Sequence, residues 1–140
     1  MQNGSALERL LSQSEGRYQA IAETEWRRYN QRWLETFARP VKDKTGHWIH
    51  LGYKWHTFSY KFVPAASRES AIEAYSREMP SKFIVLSEDE GDPSFICENM
   101  PLPDLTEIGE DLYVFPDDYL WTMVFTHEHP LLGPYFLNKF

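Results

Sequence analysis

The segment THEH at positions 126–129 places two histidines, His127 and His129, on either side of Glu128. On a β-strand, residues two apart point to the same face, so the two imidazoles could form a metal pair. A third ligand could come from His50 or His56. The zinc-protease pattern HExxH has a different spacing, because its histidines meet across one helical turn. Since His-x-His alone is a weak metal signal, we predict exposed or hydrogen-bonded histidines at a strand end and no metal site.

A second pair of reactive residues, His56 and Ser59, lies in the segment WHTFSY at positions 55–60. A serine nucleophile needs a base, a group that orients the base and an oxyanion site. The chain has no G-x-S-x-G elbow, and the segment EDEGD at 88–92 lacks the calcium-loop pattern. We therefore assign no catalytic residue and no cofactor. A small metal-binding or hydrolytic enzyme stays as the alternative, with the residues His56, His127, Glu128 and His129.

The charges are distributed unevenly along the chain. Its net charge is −7, yet the part from Met1 to Lys82 carries 13 Lys/Arg and 9 Asp/Glu. The part from Phe83 to Asn138 carries 12 Asp/Glu and no Lys or Arg. Unpaired carboxylates cannot be buried, so this block predicts an acidic surface. Such a surface disfavours nucleic acid and anionic membranes and favours a basic protein as partner.

The carboxylates in turns are those that we expect to meet a partner, because turn positions are exposed. Aromatic residues beside them could serve as buried anchors of an interface, and Trp121 could serve as an anchor or as a core residue. If the tip at 88–92 and the link at 116–118 lie at the same end of the sheet, the acids form one rim. The predicted partner-binding residues are Glu88, Asp89, Glu90, Asp92, Glu110, Asp111, Tyr113, Asp117, Asp118 and Tyr119.

The first half of the chain predicts mainly helices. Positions 6–13 predict a short helix, and residues 1–16 could pack loosely as an N-terminal segment. From Tyr18 to Phe37, apolar residues recur every three or four positions and predict a helix with a core-facing stripe. Positions 42–47 predict a polar turn, and the aromatic segment at 47–63 predicts one or two strands. A further helix is predicted over 67–79, with Ser67 as its N-cap and Ala71, Ile72 and Tyr75 facing the core.

The second half predicts consecutive strands. KFIVLSE and PSFICENM, joined by a polar link, indicate a β-hairpin, and DLYVF with YLWTMVFTHE indicates a second strand pair. In GPYF, at 133–136, we expect a turn followed by two aromatic residues that fill the core. Short links between strands predict an α+β fold, in which an antiparallel sheet of about 4–6 strands packs against two or three helices. We expect one domain over residues 1–140.

The single cysteine and the apolar pattern favour the cytoplasm. One thiol cannot form an internal disulfide, and Cys97 in the strand pattern SFICENM predicts a buried, inert thiol. The N-terminal residues do not resemble a signal peptide, and no apolar run approaches the length of a membrane span.

Three segments also resemble a known family. The segments YKWHTFSYKF (53–62), DLYVFPDDYLWTMVFTHE (111–128) and GPYF resemble, in order and spacing, the bacterial domain-of-unknown-function family 4275. In that family a cysteine precedes the GPYF segment, and Leu132 stands at this place here. The resemblance therefore implies no thiol chemistry at that position, and it implies no catalytic residue.

Small acidic bacterial proteins of this kind resemble immunity proteins, which neutralise a toxin from a neighbouring cell. We therefore expect a non-enzymatic, cytoplasmic inhibitor that occludes a basic toxin domain, such as a nuclease, through its acidic surface. The enzyme described above is the first alternative, and a housekeeping protein-interaction module is the second.

Overall fold

The computed structural model describes residues 5–129 and 131–139, in which helices pack against one seven-stranded antiparallel sheet. The strands within these residues are β1 (Arg17–Ala20), β2 (Ala66–Ser67), β3 (Lys82–Ser87), β4 (Phe95–Glu98), β5 (Leu112–Pro116), β6 (Trp121–Phe125) and β7 (Tyr135–Asn138), in the spatial order β1-β4-β3-β5-β6-β7-β2. The helices are α1 (Ala6–Ser12), α2 (Glu23–Phe37), α3 (Arg39–Thr45), α4 (His56–Ser59) and α5 (Arg68–Ser76). The predicted α+β class is confirmed, with more strands and helices than expected. None of these helices has the length and apolarity to cross a membrane.

The central strands are buried on both faces of the sheet. Alternate residues of β3, β5 and β6 belong to two different apolar clusters. One cluster joins the sheet to α1 and α5, and the other joins it to α2, α3 and α4. This arrangement explains why every residue of β5 and β6 is buried, without the alternating exposure of a strand that faces water on one side.

The strands predicted in the second half are confirmed. β3 pairs with β4 and β5 pairs with β6, each antiparallel. The GPYF segment enters β7, and its two aromatic residues, Tyr135 and Phe136, are buried as predicted. Cys97 is also buried, as predicted, and burial raises the pKa of its thiol to about 12.

The predicted helix from Tyr18 to Phe37 begins too early. Residues Arg17–Ala20 form the edge strand β1, which pairs with β4, and α2 starts only at Glu23. The segment RYQA has no strand pattern of its own, so pairing with β4 determines its conformation. The predicted loose packing of the N-terminal helix is also wrong, because Leu7 and Leu11 of α1 lie fully in the core. Residues 1–4 lie outside the described residues.

The middle of the chain holds two helices where a turn and strands were predicted. Pro40 is tolerated in the first turn of α3, and Gly46, in the left-handed conformation at φ 82°, ends that helix. In the segment 47–63 the structure has one isolated bridge, between His50 and Tyr53, and the single turn α4. The aromatic residues at 55 and 58 are both buried, a spacing that a helical turn satisfies and a strand does not.

Helix α5 was predicted, but it ends at Ser76, three residues before the predicted end, and two further details differ. Ser67 occupies the N-cap position, but its side chain makes no capping hydrogen bond. Ala71 and Tyr75 face the core as predicted, whereas Ile72 is 39% exposed. The prediction for Ile72 is therefore wrong.

Candidate functional site

The THEH segment is a turn and not the end of a strand. β6 ends at Phe125, and the backbone N–H of His129 donates to the Thr126 carbonyl in the turn that follows. Asp111 accepts the His127 backbone N–H at 2.9 Å, and both of its carboxylate oxygens lie 2.9 Å from His127 Nδ1. His127 Nε2 lies 3.5 Å from a Glu128 carboxylate oxygen. The prediction that His127 and His129 share a strand face is therefore wrong, and Asp111 determines the orientation of His127.

His56 lies on α4, mostly buried, with Nδ1 2.7 Å from Ser59 Oγ. Burial lowers the pKa of His56, and the neighbouring His50 lowers it further. The two residues of the predicted Ser–His pair are thus in contact. Which of the two atoms carries the shared hydrogen depends on the imidazole tautomer.

Aromatic rings lie around His56 and His127. The Tyr53 ring centroid is 5.6 Å from that of His56 and 5.1 Å from that of His127, and the Trp55 ring is 4.4 Å and 6.0 Å from them. The structure therefore brings the two imidazoles into one aromatic neighbourhood. Within residues 5–129 and 131–139, no group of three His, Cys, Asp or Glu side chains has the arrangement of a metal site.

Glu88, predicted to be exposed at the hairpin tip, is committed to a buried ion pair. Lys54 Nζ lies 3.1 Å from Glu88 Oε2 and donates to the Glu88 carbonyl at 2.8 Å. The Tyr113 hydroxyl donates to the other carboxylate oxygen. Burial lowers the pKa of Lys54, which the Glu88 carboxylate opposes. The sequence prediction missed Lys54, whose position between Tyr53 and Trp55 in an apolar segment was the available signal.

Neither tyrosine that was predicted as an interface anchor is accessible. Tyr113 is completely buried, and Tyr119 is 4% exposed with the Arg32 guanidinium stacked 4.3 Å from its ring centroid. The structure places both in the core cluster beside α2. The prediction that they are surface anchors is therefore wrong, and Trp121 is a core residue at 5% exposure.

The predicted acidic residues do not form one rim. Ser87 pairs with Leu112, so the hairpin tip that follows β3 lies beside the 110–111 segment at one end of the sheet. Phe83 pairs with Pro116, which places Asp117 and Asp118 at the opposite end. Asp117 lies there in a groove with the α2 arginines Arg28 and Arg32. The antiparallel direction of β3 and β5 is the physical reason for this separation.

A concave acidic surface remains at the first end, and we call it the acidic pocket. Its volume is about 510 Å³, and five of the predicted carboxylates line it together with Tyr53 and His127. These carboxylates belong to Glu88, Asp89, Asp92, Glu110 and Asp111. Glu90 lies outside this lining, because both of its oxygens accept hydrogen bonds from Arg27 at 2.9 and 2.7 Å.

Three carboxylates of the acidic pocket differ from the others, because they lack an ion-pair partner among the described residues. No described Lys, Arg or His forms an ion pair with Asp89, Asp92 or Glu110, all of which are exposed. Burial raises the pKa of Glu110, and the carboxylates of Asp92 and Asp111 raise it further. Mutual repulsion in a concave site favours binding of an external cation, because the cation relieves that repulsion.

The comparisons with known proteins give one family. The family model described as Domain of unknown function (DUF4275) matches residues 11–136. The chain belongs to this family. No curated protein and no solved structure is detectably similar to it. The DUF4275 match covers α2 to α5, all of β1 to β6 and the start of β7, and therefore includes both the acidic pocket and the aromatic neighbourhood of His56 and His127.

Proposed function

We propose that this protein is a non-enzymatic inhibitor that binds a basic protein domain through the acidic pocket. In the specific form that we favour, it is a cytoplasmic immunity protein and the partner is a toxin domain, such as a nuclease. The observation that supports this proposal is the convergence of Asp89, Asp92 and Glu110 in one concave surface, where none of the three forms an ion pair with a described residue.

The mechanism would be occlusion of a phosphate-binding cleft. Nuclease clefts carry Lys and Arg to hold phosphates, so an acidic surface can occupy the same cleft. A partner cation that enters the acidic pocket would relieve the repulsion among the three carboxylates. Opposite charge also speeds diffusional encounter, most strongly at low salt.

The structure changes which residues we assign to the interface. Glu88, Glu90 and Asp111 are each held by a cation or an imidazole of this chain. Tyr53 is half-buried and lines the acidic pocket, so it replaces the buried tyrosines as the aromatic contact. The proposed interface therefore consists of Asp89, Asp92, Glu110 and Tyr53.

The test uses a toxin gene next to this gene. The C-terminal domain of a large secreted protein encoded immediately upstream would be purified, and its activity measured with and without this protein. The charge reversals Asp89→Lys and Asp92→Lys, combined in one variant, should slow association at least tenfold at low salt. The matched control is the double reversal Asp117→Lys with Asp118→Lys, which removes the same two charges at the opposite end of the sheet.

The two double variants separate the outcomes. Slower association of the 89/92 variant alone supports the acidic pocket as the interface. Equal rates for both variants and the wild type would eliminate the acidic pocket as the interface. A neighbouring toxin domain that the wild type neither binds nor inhibits would overturn the immunity function itself.

A further inference from the structure

A second pocket of opposite charge lies at the β7–β2 edge of the sheet. It is enclosed by the end of α4, the segment that leads into α5 and the loop that enters β7, and its volume is about 540 Å³. We call it the cationic pocket, because its only charged lining residues are Lys61 and Arg68. Three hydroxyl-bearing residues, Ser59, Ser67 and Tyr135, also line it. A local charge of two positive groups is unexpected on a chain whose net charge is −7.

The two cations have no carboxylate partner within the described residues. The Arg68 guanidinium donates to the Leu131 carbonyl at 3.1 Å, and no other described residue accepts a hydrogen bond from it. The backbone N–H of Lys61 donates to the Phe58 carbonyl at 3.0 Å, and its ammonium group makes no hydrogen bond or ion pair with a described residue. Two cationic side chains with hydrogen-bond donors for an anion therefore line one cavity, and no described carboxylate forms an ion pair with either of them.

The backbone that carries these cations is constrained. Lys61 has φ 60° and Arg68 has φ 56°, the left-handed region in which glycine is favoured over other residues. Arg68 N–H donates to the Pro134 carbonyl at 2.9 Å, which fixes the start of α5 to the loop before β7. Backbone geometry thus constrains the two points from which the cationic side chains extend into the pocket.

The hydroxyl groups supply further donors. Ser59 Oγ lies 2.7 Å from His56 Nδ1, and when that nitrogen carries the hydrogen, the serine O–H is free to donate to a ligand. Ser67 makes no capping bond to α5, so its hydroxyl is also available. Since Ser67 and Arg68 begin α5, the positive end of that helix dipole lies at the pocket.

We propose that the cationic pocket binds the phosphate group of a small organic phosphate monoester. A dianionic phosphate matches two cations, and its oxygens accept from guanidinium, ammonium and hydroxyl donors. The apolar remainder of the lining, which includes Phe58 and Leu132, would contact the organic part. The pocket has the volume of ordinary small-molecule sites, roughly 300–1,000 Å³. This inference is independent of the acidic pocket and of the proposed inhibitor function.

The test measures phosphate binding to the full chain. Inorganic phosphate and glycerol 3-phosphate would be titrated by calorimetry and by thermal unfolding, with chloride at equal ionic strength as the control. Phosphate binding should raise the melting temperature. The variants Lys61→Gln and Arg68→Gln should each lower the affinity for phosphate about tenfold. The matched control is Lys44→Gln, which removes an exposed cation of α3 and should bind like the wild type.

Removal of a nearby negative charge gives a second test of the cationic pocket. Burial raises the pKa of Tyr135, Arg68 lowers it and the Glu128 carboxylate raises it further, so the negative charge of Glu128 reaches this pocket and would repel an anion there. Glu128→Gln should therefore tighten phosphate binding about two- to threefold, because it removes a negative charge that repels the phosphate and that solvent partly screens. An affinity unchanged by Lys61→Gln and Arg68→Gln, in variants whose circular dichroism is native, would overturn the proposal.

A vesicle sedimentation experiment distinguishes a free phosphate monoester from a lipid headgroup. Binding of glycerol 3-phosphate assigns a free monoester. A lipid headgroup is assigned if the protein sediments with phosphatidic acid vesicles but not with phosphatidylcholine vesicles and does not bind glycerol 3-phosphate. Arg68→Gln should then abolish the sedimentation. The absence of binding to inorganic phosphate, glycerol 3-phosphate and phosphatidic acid at millimolar phosphate would overturn the proposal.

Discussion

Asp111 binds His127 three times, through two contacts from its carboxylate oxygens to Nδ1 and one to the backbone N–H, all at 2.9 Å. Asp111 lies immediately before β5, and His127 lies two residues after β6 ends. The pair therefore connects the ends of two neighbouring strands and fixes the turn that leads from the acidic pocket toward the cationic pocket.

Removing this carboxylate should loosen the turn. Asp111→Ala should lower the free energy of unfolding by about 1–3 kcal/mol, because a largely buried acceptor of a charged or polar donor is lost. Asp117→Ala, at the opposite end of the sheet, should change it by less than about 0.5 kcal/mol. Urea unfolding of both variants measures the difference. Equal stabilities of the two variants would show that the three contacts do not stabilise the turn.

The two histidines of the turn should be dispensable for inhibition. The double variant His127→Ala with His129→Ala should keep the metal content and toxin neutralisation of the wild type, since neither residue belongs to the proposed interface. Elemental analysis and the neutralisation assay measure the two properties. Stoichiometric zinc or manganese in the wild type that this variant loses would instead favour the metal-enzyme alternative.

The sequence predicted the strands of the second half because their signals are local. Apolar runs of four to six residues between polar turns require burial, and each run had a strand partner next in the chain. The edge strand β1 and the single turn α4 could not be predicted in the same way. Their conformations depend on distant contacts, with β4 in one case and with the core beside α2 in the other.

The candidate site was predicted only in part for a related reason. Turn positions correctly indicated exposed acids such as Asp89 and Asp92, but not which acids have internal partners. The partners Arg27 and Lys54 lie 63 and 34 residues before Glu90 and Glu88, and no local pattern joins such residues. The cationic pocket also joins segments that are more than 60 residues apart in the chain.

Trp33 should be a determinant of the core. Its indole N–H donates to Thr122 Oγ1 at 2.9 Å, and its ring contacts Phe37 and Tyr113. Trp33→Ala should lower the free energy of unfolding by about 3–5 kcal/mol. The control Trp48→Ala, on a half-buried ring, should have a smaller effect. A Trp33→Ala protein that melts like the wild type would contradict the core assignment.

The buried pair of Lys54 and Glu88 should show energetic coupling. Lys54→Met leaves the Glu88 carboxylate largely buried without its cation and should cost about 3–5 kcal/mol. Adding Glu88→Gln removes that charge and keeps an acceptor for the Lys54 backbone N–H, so the double variant should be more stable than Lys54→Met alone. Urea unfolding of the four proteins gives the coupling energy. Additive losses would show that the two groups do not interact.

Stability should fall in alkali through the thiol of Cys97. Burial disfavours the thiolate and raises the pKa of this thiol from its ordinary value of 9.0 to about 12 in the fold. The unfolded state therefore releases this proton first, so the contribution is complete below pH 9 and is lost as the pH rises toward 12. Over that range one proton changes the free energy of unfolding by about 1.4 kcal/mol per pH unit.

The variant Cys97→Ala isolates this effect. Burial also raises the pKa values of Tyr75 and Tyr113, so both proteins lose stability above pH 10. Because Cys97 contributes to the raised pKa of Tyr75, the comparison of the two proteins is cleanest between pH 9 and 10. The difference in the free energy of unfolding between wild type and variant should therefore be constant up to about pH 8 and should shrink between pH 9 and 11, because only the wild type loses the thiol contribution. Urea unfolding with a reductant present measures this difference. A difference that stays constant up to pH 11 would mean that the native thiol ionises as easily as the unfolded one, in contradiction to its burial in β4.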